Sequence, residues 1–168
     1  GGLGDDDMYG WSGNDDMRGD AGKDRMYGGP DRDIMRGGSG DDYLKGGSAR
    51  DILFGGFGRD HLIGDAGNDI LLGEDGDDVL LGGADNDWID GGNGDDRLYG
   101  GSGKDRLEGG RGDDLLVGGS GSDTVYGDSG DDTAVYVMGQ NHGAHDVYDG
   151  GSGNDTLRLE FTADEWAR

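Results

Sequence analysis

A nine-residue repeat constrains this chain more than any other feature of its sequence. Residues 1–135 divide into fifteen contiguous units, such as 37–45 (GGSGDDYLK), and a sixteenth unit spans 150–158. Position 1 is glycine and position 6 is aspartate in all sixteen units, and position 8 is always apolar. Position 4 is glycine in all but three units, which carry Asp31, Ala49 and Asp85. Because one short unit cannot bury its apolar residue alone, this period predicts a solenoid of stacked repeats.

Each column of the repeat has a structural interpretation. Glycines at positions 1, 2 and 4 permit positive φ and close backbone approach, so the first six residues predict a tight turn. The last three residues predict a short strand with one inward-facing side chain, at position 8. Two units then form one coil, with strands on opposite sides. The predicted fold is all-β: a right-handed parallel β-roll, a form of β-helix solenoid, in which position 8 lines a thin core.

Composition excludes several classes of protein. The chain contains no cysteine, which excludes a disulfide scaffold and a thiolate metal site. No stretch is apolar enough for a transmembrane helix. The net charge of −24 makes nucleic acid an unfavourable partner, because its phosphates carry the same sign. The chain begins in mid-pattern at Gly1, so we expect it to be excised from a longer protein.

The repeat columns leave few positions for a catalytic constellation. The sequence contains neither a Gly-x-Ser-x-Gly nucleophile elbow nor a His-Glu-x-x-His zinc helix. We therefore expect no enzyme within this segment, although the parent protein could be an exoenzyme.

The thin core predicts that a cation holds the fold together. Sixteen position-8 side chains are too few to offset the entropy of ordering 168 residues, and the net charge of −24 adds repulsion. The invariant aspartates and the carbonyls of the glycine-rich turns offer oxygen ligands. Oxygen donors in a flexible all-protein site favour Ca²⁺ over Mg²⁺. Zinc or copper would require histidine or thiolate, and the three histidines lie outside the ligand columns of the intact units.

The repeat Gly-Gly-x-Gly-x-Asp-x-apolar-x resembles the nonapeptide of the RTX (repeats-in-toxin) proteins. The resemblance implies a parallel β-roll that holds rows of Ca²⁺ between turns on the same side. It also implies a bacterial protein exported by the type I secretion apparatus to the cell exterior, as toxins, proteases, lipases, epimerases and large adhesins are. The expected role is a calcium-binding module that folds on Ca²⁺ outside the cell and so couples secretion to folding of a larger protein.

The resemblance also implies the ligands. Each ion would take carbonyls and the position-6 aspartate from one turn, and matching groups from the turn eighteen residues later. The implied carboxylate ligands are Asp6, Asp15, Asp24, Asp33, Asp42, Asp51, Asp60, Asp69, Asp78, Asp87, Asp96, Asp105, Asp114, Asp123, Asp132, Asp146 and Asp155. The implied backbone carbonyls are those of Gly2, Gly4, Gly13, Gly22, Gly38, Gly40, Gly56, Gly58, Gly67, Gly76, Gly92, Gly94, Gly101, Gly103, Gly110, Gly112, Gly119, Gly121 and Gly130.

The stacking predicts the number of ions. The contiguous units form one row with seven gaps and a second row with six, so thirteen ions are expected, with up to two more near residues 141–158. Their charge would nearly neutralise the net charge of −24. The three non-glycine residues at position 4 all fall in the second row, and alanine tolerates positive φ poorly. We therefore expect weaker sites around Asp31, Ala49 and Asp85, the weakest at Ala49.

The period slips after residue 135, which predicts three regions. Residues 1–135 form the contiguous array. Residues 136–158 comprise an insertion (136–140), a degenerate unit (141–149) with Asp146 at position 6 and Tyr148 at position 8, and the last regular unit. Residues 159–168 begin a C-terminal cap, in which Thr162 and Glu165 form a capping box that opens a helix.

One group of apolar residues does not fit the core pattern. Positions 7 and 9 should point outward, yet in the middle of the array they hold Ile52, Phe54, Ile63, Ile70, Leu72, Val79, Leu81 and Trp88. One interpretation is that they stabilise neighbouring strands. The other is a docking face for another domain or a second copy. In that case the alternative function is a stalk or docking module of a large surface adhesin, acting through the apolar face 52–88.

Overall fold

Short parallel strands follow one another along the whole array. The computed structural model of the protein describes residues 1–137 and 144–161. The strands are β1 (Gly2–Leu3), β2 (Asp7–Tyr9), β3 (Asp16–Ala21), β4 (Arg25–Gly29), β5 (Ile34–Ser39), β6 (Tyr43–Ser48), β7 (Ile52–Phe57), β8 (His61–Ala66), β9 (Ile70–Asp75), β10 (Val79–Ala84), β11 (Trp88–Asn93), β12 (Arg97–Gly103), β13 (Arg106–Arg111), β14 (Leu115–Gly121), β15 (Thr124–Ser129), β16 (Thr133–Val137), β17 (Val147–Asp149) and β18 (Thr156–Glu160).

These strands form two parallel sheets. The odd-numbered strands make one nine-stranded sheet in sequence order, and the even-numbered strands make the other. Each residue pairs with the residue one coil later, as Met35 pairs with Leu53 and Leu53 with Leu71. The expectation of an all-β parallel solenoid is confirmed.

The strands are longer than the sequence pattern predicts. Strand β7, for example, runs from position 7 of one unit to position 3 of the next, so it has six residues rather than three. The turn correspondingly shrinks to positions 4–6. The reason is that units of equal length stack in register, so the glycine-rich segments also pair with the neighbouring coil: the Gly40 N–H donates to the Phe57 carbonyl at 2.7 Å.

The core is one column of side chains from each sheet. Position 8 supplies Met26, Met35, Leu44, Leu53, Leu62, Leu71, Leu80, Ile89, Leu98, Leu107, Leu116 and Val125, all buried to 1% exposure or less. Met8 and Met17 at one end, and Ala134 and Tyr148 at the other, are only partly buried against this column. Each coil therefore contributes two core side chains, and every one of them depends on the coils above and below.

The apolar residues at positions 7 and 9 do not form the single face that the sequence suggests. Successive units alternate between the sheets, so Ile52, Ile70 and Trp88 lie on the odd-numbered sheet, whereas Ile63 and Leu81 lie on the even-numbered one. Trp88 is 41% exposed, and the other seven residues are half-buried. The predicted apolar face 52–88 is therefore divided, with five of its residues on the odd-numbered sheet and three on the even-numbered one.

The C-terminal part continues both sheets with a shifted register. Thr124 pairs with Val147 and Thr133 with Thr156, so the spacing grows from eighteen to twenty-three residues there. The expected capping box and helix at 162–168, and residues 138–143 of the insertion and degenerate unit, lie outside the described residues. Where the structure is described, it contains no helix long and apolar enough to cross a bilayer.

Candidate metal centres

The turns line up along two edges of the roll. The first edge holds the turns that lead from odd to even strands, at residues 4–6, 22–24, 40–42, 58–60, 76–78, 94–96, 112–114, 130–132 and 153–155. The second edge holds the turns from even to odd strands, at 13–15, 31–33, 49–51, 67–69, 85–87, 104–105, 122–123 and 144–146. Each turn ends in a position-6 aspartate, so the predicted carboxylates form one column per edge.

One oxygen of each aspartate builds the stack. The Asp60 N–H donates to Asp78 Oδ1 at 2.7 Å, and the Asp78 N–H donates to Asp96 Oδ1 at 2.7 Å. The same bond recurs between coils along both edges and ends at Asp146 and Asp155, which accept at 3.0 and 3.1 Å. The aspartate column is therefore part of the backbone hydrogen-bond network.

The other carboxylate oxygen is buried and, within the described structure, has no hydrogen-bond partner. This holds for Oδ2 of Asp6, Asp15, Asp24, Asp33, Asp42, Asp51, Asp60, Asp69, Asp78, Asp87, Asp96, Asp105, Asp114, Asp123 and Asp132. Thirteen of these residues, Asp24 through Asp132, are exposed by 3% or less. Burying a charged oxygen without a partner is costly, so each of these atoms requires a proton or a cation.

The glycine at position 1 leaves room beside each unpartnered oxygen. A Cβ built on Gly10 would lie 2.5 Å from Asp15 Oδ2 and 2.6 Å from the carbonyl oxygen of Gly28 in the next coil. The carboxylate oxygen and that carbonyl therefore border the same small space, which only a residue without a side chain leaves open. An oxygen-liganded cation such as Ca²⁺ fits this donor set.

This arrangement corrects the predicted use of the glycines. Positive φ occurs at position 2 in all sixteen regular units and at position 4 in fifteen of them, but at no position-1 glycine. Position 1 is glycine because of steric room, not because of backbone rotation. Sequence reasoning missed that the position-1 glycine and the position-1 carbonyl of the next coil border this space; the invariance of the glycine was the signal for the steric requirement.

The predicted position-2 and position-4 carbonyls lie elsewhere in the gaps between coils. A Cβ built on Gly94 would lie 2.5 Å from the carbonyl carbon of Gly76, one coil earlier in the position-4 column. The position-2 carbonyl of Asp128 accepts the Ser152 N–H at 2.8 Å. These carbonyls face the neighbouring coil in columns parallel to the aspartates, and their role as ligands stays a prediction.

Burial disfavours the charged form of the position-6 aspartates. It raises the pKa of Asp87 to about 8 and that of Asp51, Asp60, Asp78 and Asp114 to about 7. The hydrogen bond from the preceding aspartate's N–H lowers these pKa values, whereas carboxylates in neighbouring coils raise them. Desolvation is the largest cause in each case, and it favours a proton or a cation at the site.

Side chains alone do not make a metal centre here. Across residues 1–137 and 144–161, no three His, Cys, Asp or Glu side chains converge in a way that could hold a metal ion. His61 instead lies against the Tyr43 ring, with the centroids 5.3 Å apart. A cation at the turns would therefore take most of its ligands from the backbone, as the predicted ligand set requires.

A comparison with protein families agrees with this geometry. A model described as an RTX calcium-binding nonapeptide repeat (4 copies) matches residues 1–26, 12–44, 27–62, 45–80, 63–98, 72–107, 99–134 and 142–158. These matches together span most of the chain. No curated protein matches it.

Proposed function

The chain belongs to the RTX calcium-binding nonapeptide repeat family, and from that premise we propose that it folds on Ca²⁺ outside the cell. It is a calcium-binding repeat module with a structural β-roll fold. The proposed role couples type I secretion to the folding of a larger toxin, adhesin or exoenzyme, with the secretion apparatus as a partner and a secreted final location.

The unpartnered Oδ2 atoms carry this proposal. Fifteen such atoms are present within the described residues, and each belongs to an aspartate that has another coil stacked after it. We therefore propose one ion beside each, bound by the position-6 aspartate and by backbone carbonyls of two adjacent coils. Thirteen of these ions would lie in the gaps of the contiguous array, and two more in the gaps that Asp146 and Asp155 close.

Thermodynamic linkage between folding and calcium binding explains why such a module would respond to the calcium concentration around it. A site with Kd of ~0.1 mM in ~2 mM Ca²⁺ gains about 1.8 kcal/mol. Thirteen such sites would supply about 23 kcal/mol in total. At submicromolar calcium the same contribution is near zero, so the chain would stay an extended polyanion suited to a narrow export channel.

Chelation tests the proposal directly. In EDTA at pH 7.5 we expect a far-ultraviolet circular dichroism spectrum without β signal, and a steep gain of that signal as Ca²⁺ is added. Mg²⁺ at equal concentration should produce little β signal, because it requires near-ideal octahedral geometry and loses its bound water reluctantly. A full β spectrum in EDTA would contradict the proposal.

A variant pair locates the effect at the turns. Asp78→Asn replaces the unpartnered Oδ2 while keeping an Oδ1 acceptor, so it should raise the calcium concentration needed for folding. Asp90→Asn removes the same charge from the outer face of β11 and should change that concentration little. Equal shifts for both variants would show that only net charge matters.

The adhesin alternative is weakened in one respect. Because the apolar residues 52–88 divide between the two sheets, a docking face on one sheet would hold at most five of the eight. A stalk role would use the rod itself and does not depend on that face.

A further inference from the structure

The two edges of the roll differ in charge at position 5, beside the aspartate column. Within the contiguous array 1–135, this position on the first edge holds six acids and two bases: Asp5, Lys23, Asp41, Arg59, Asp77, Asp95, Asp113 and Asp131. On the second edge of the same array it holds no acid and three bases: Asn14, Arg32, Arg50, Asn68, Asn86, Lys104 and Ser122. The nonapeptide pattern leaves position 5 free, so this difference is a property of this chain.

Position-5 side chains are held close to the candidate sites. Each directly precedes a position-6 aspartate in the chain. The Asp113 N–H donates to Asp95 Oδ1 at 2.9 Å, and the Asp131 N–H donates to Asp113 Oδ1 at 2.8 Å. These bonds run along the edge in the direction opposite to the position-6 bonds and fix the carboxylates in a row.

On the second edge, the equivalent backbone hydrogen bonds are accepted by uncharged asparagine side chains. The Asn86 N–H donates to Asn68 Oδ1 at 2.9 Å, and the Lys104 N–H donates to Asn86 Oδ1 at 2.8 Å. Asparagine and aspartate thus occupy equivalent places with equivalent backbone bonds. The edges differ there in electrostatics rather than in geometry.

We propose that the two edges bind Ca²⁺ unequally: the first edge fills at lower calcium, and the position-5 carboxylates Asp77, Asp95, Asp113 and Asp131 set that preference. This inference rests on the proposed calcium-binding function. A fixed negative charge beside a partly desolvated site attracts a divalent ion, whereas a guanidinium or ammonium repels it. The non-glycine residues at position 4 act in the same direction, because Ala49 and Asp85 place positive-φ strain on the second edge.

Two matched double variants test the role of the carboxylates. Asp95→Asn with Asp113→Asn removes two charges from the first edge and keeps both Oδ1 acceptors. Asp16→Asn with Glu108→Gln removes two charges from the outer face of the odd-numbered sheet, outside the turns of the first edge. The reverse variant, Asn68→Asp with Asn86→Asp, gives the second edge the chemistry of the first.

The measurement is site-resolved occupancy in the folded roll, read from the backbone amide NMR signals of turn residues on each edge as buffered free Ca²⁺ is raised above the concentration at which the β signal appears. We expect the amides of Asp96 and Asp114 to reach half-change at about three- to fivefold lower calcium than those of Asp69 and Asp87. The first-edge variant should raise the first-edge midpoint about two- to fivefold, and the sheet-face variant by less than twofold. The reverse variant should lower the second-edge midpoint.

The possible outcomes separate the two proposals. Equal midpoints for both edges, or equal effects of the first-edge and sheet-face variants, would overturn the inference while leaving calcium binding intact. No calcium-dependent change on either edge would instead overturn the proposed function itself.

Discussion

The position-6 aspartate has two distinct roles in one side chain. In Asp78, for example, Oδ1 accepts a backbone N–H from the preceding coil, whereas Oδ2 faces the space beside Gly73. The first oxygen fixes the second in place, because a carboxylate is planar and rigid. Each candidate site is thus oriented by the same hydrogen bonds that stack the coils, so the proposed calcium binding at the turn would be coupled to the stability of the stack.

The raised pKa values predict that acid partly replaces calcium. An aspartate whose pKa is raised on folding contributes stability that is present below its unfolded pKa and is lost as pH rises through the folded pKa. For Asp42, Asp60 and Asp87 the folded pKa values are about 6, 7 and 8. In EDTA, lowering the pH from 8 to 5 should therefore recover β signal in circular dichroism. A spectrum unchanged over that range would contradict this.

The backbone angle at position 4 predicts a stabilising substitution. Ala49 has φ of 79°, a conformation that costs a non-glycine residue about 1–2 kcal/mol. Ala49→Gly should stabilise the calcium-bound roll by about 1 kcal/mol and lower the calcium midpoint, as thermal unfolding and titration would show.

Asp31→Gly is the matched control for Ala49→Gly. Asp31 also occupies position 4, but its φ is not positive. Its Oδ2 accepts the Gly13 N–H at 2.9 Å. The substitution should bring no gain. A stabilisation equal to that of Ala49→Gly would show that position 4 matters for another reason.

Each strand depends on its neighbours one coil away. Strand β10 pairs with β8 and β12 over almost its whole length, and its one fully buried side chain is Leu80. Side chains on the outer faces also align between coils, as the rings of Tyr9 and Tyr27 do, stacked 5.0 Å apart. This spacing matches the distance between adjacent strands. Each strand therefore contacts the strand one coil away through both its backbone and its side chains.

Truncating the core at one coil should therefore weaken the stack. Leu80→Ala should cost about 2–5 kcal/mol because it leaves a cavity between both sheets. Leu81→Ala, at a half-buried position on the outer face, should cost less than half as much. Denaturant unfolding at saturating Ca²⁺ would measure both, and equal losses would mean that position 8 is not the main apolar support.

The whole molecule is a polyanion whose charge opposes compaction. Its 38 acidic residues face only 14 basic ones, and the ion pairs that form are at the surface, such as Lys23 with Asp41 at 2.6 Å. Exposed pairs contribute little to stability. The state of the molecule is therefore decided by what neutralises the buried carboxylates along its two edges.

Small-angle X-ray scattering would follow that change of state. Without calcium, an unfolded chain of this length has a radius of gyration of about 43 Å, and self-repulsion should enlarge it. Saturating Ca²⁺ should reduce the value to less than half. The same compaction on adding NaCl alone, to equal ionic strength, would show that screening rather than specific binding causes it.

The sequence by itself determined the repeat, the parallel roll, the position-8 core and the aspartate columns, because each follows from a side chain or backbone property that recurs with the period. Only the tertiary structure decided how the coils meet. It showed that position 1 must be glycine to leave room for Asp Oδ2, as at Gly10 and Asp15. It also showed that the strands extend through positions 1–3, as β7 does to Phe57, because these segments pair with the next coil. Those facts depend on residues one coil apart in space, and no local pattern contains that distance.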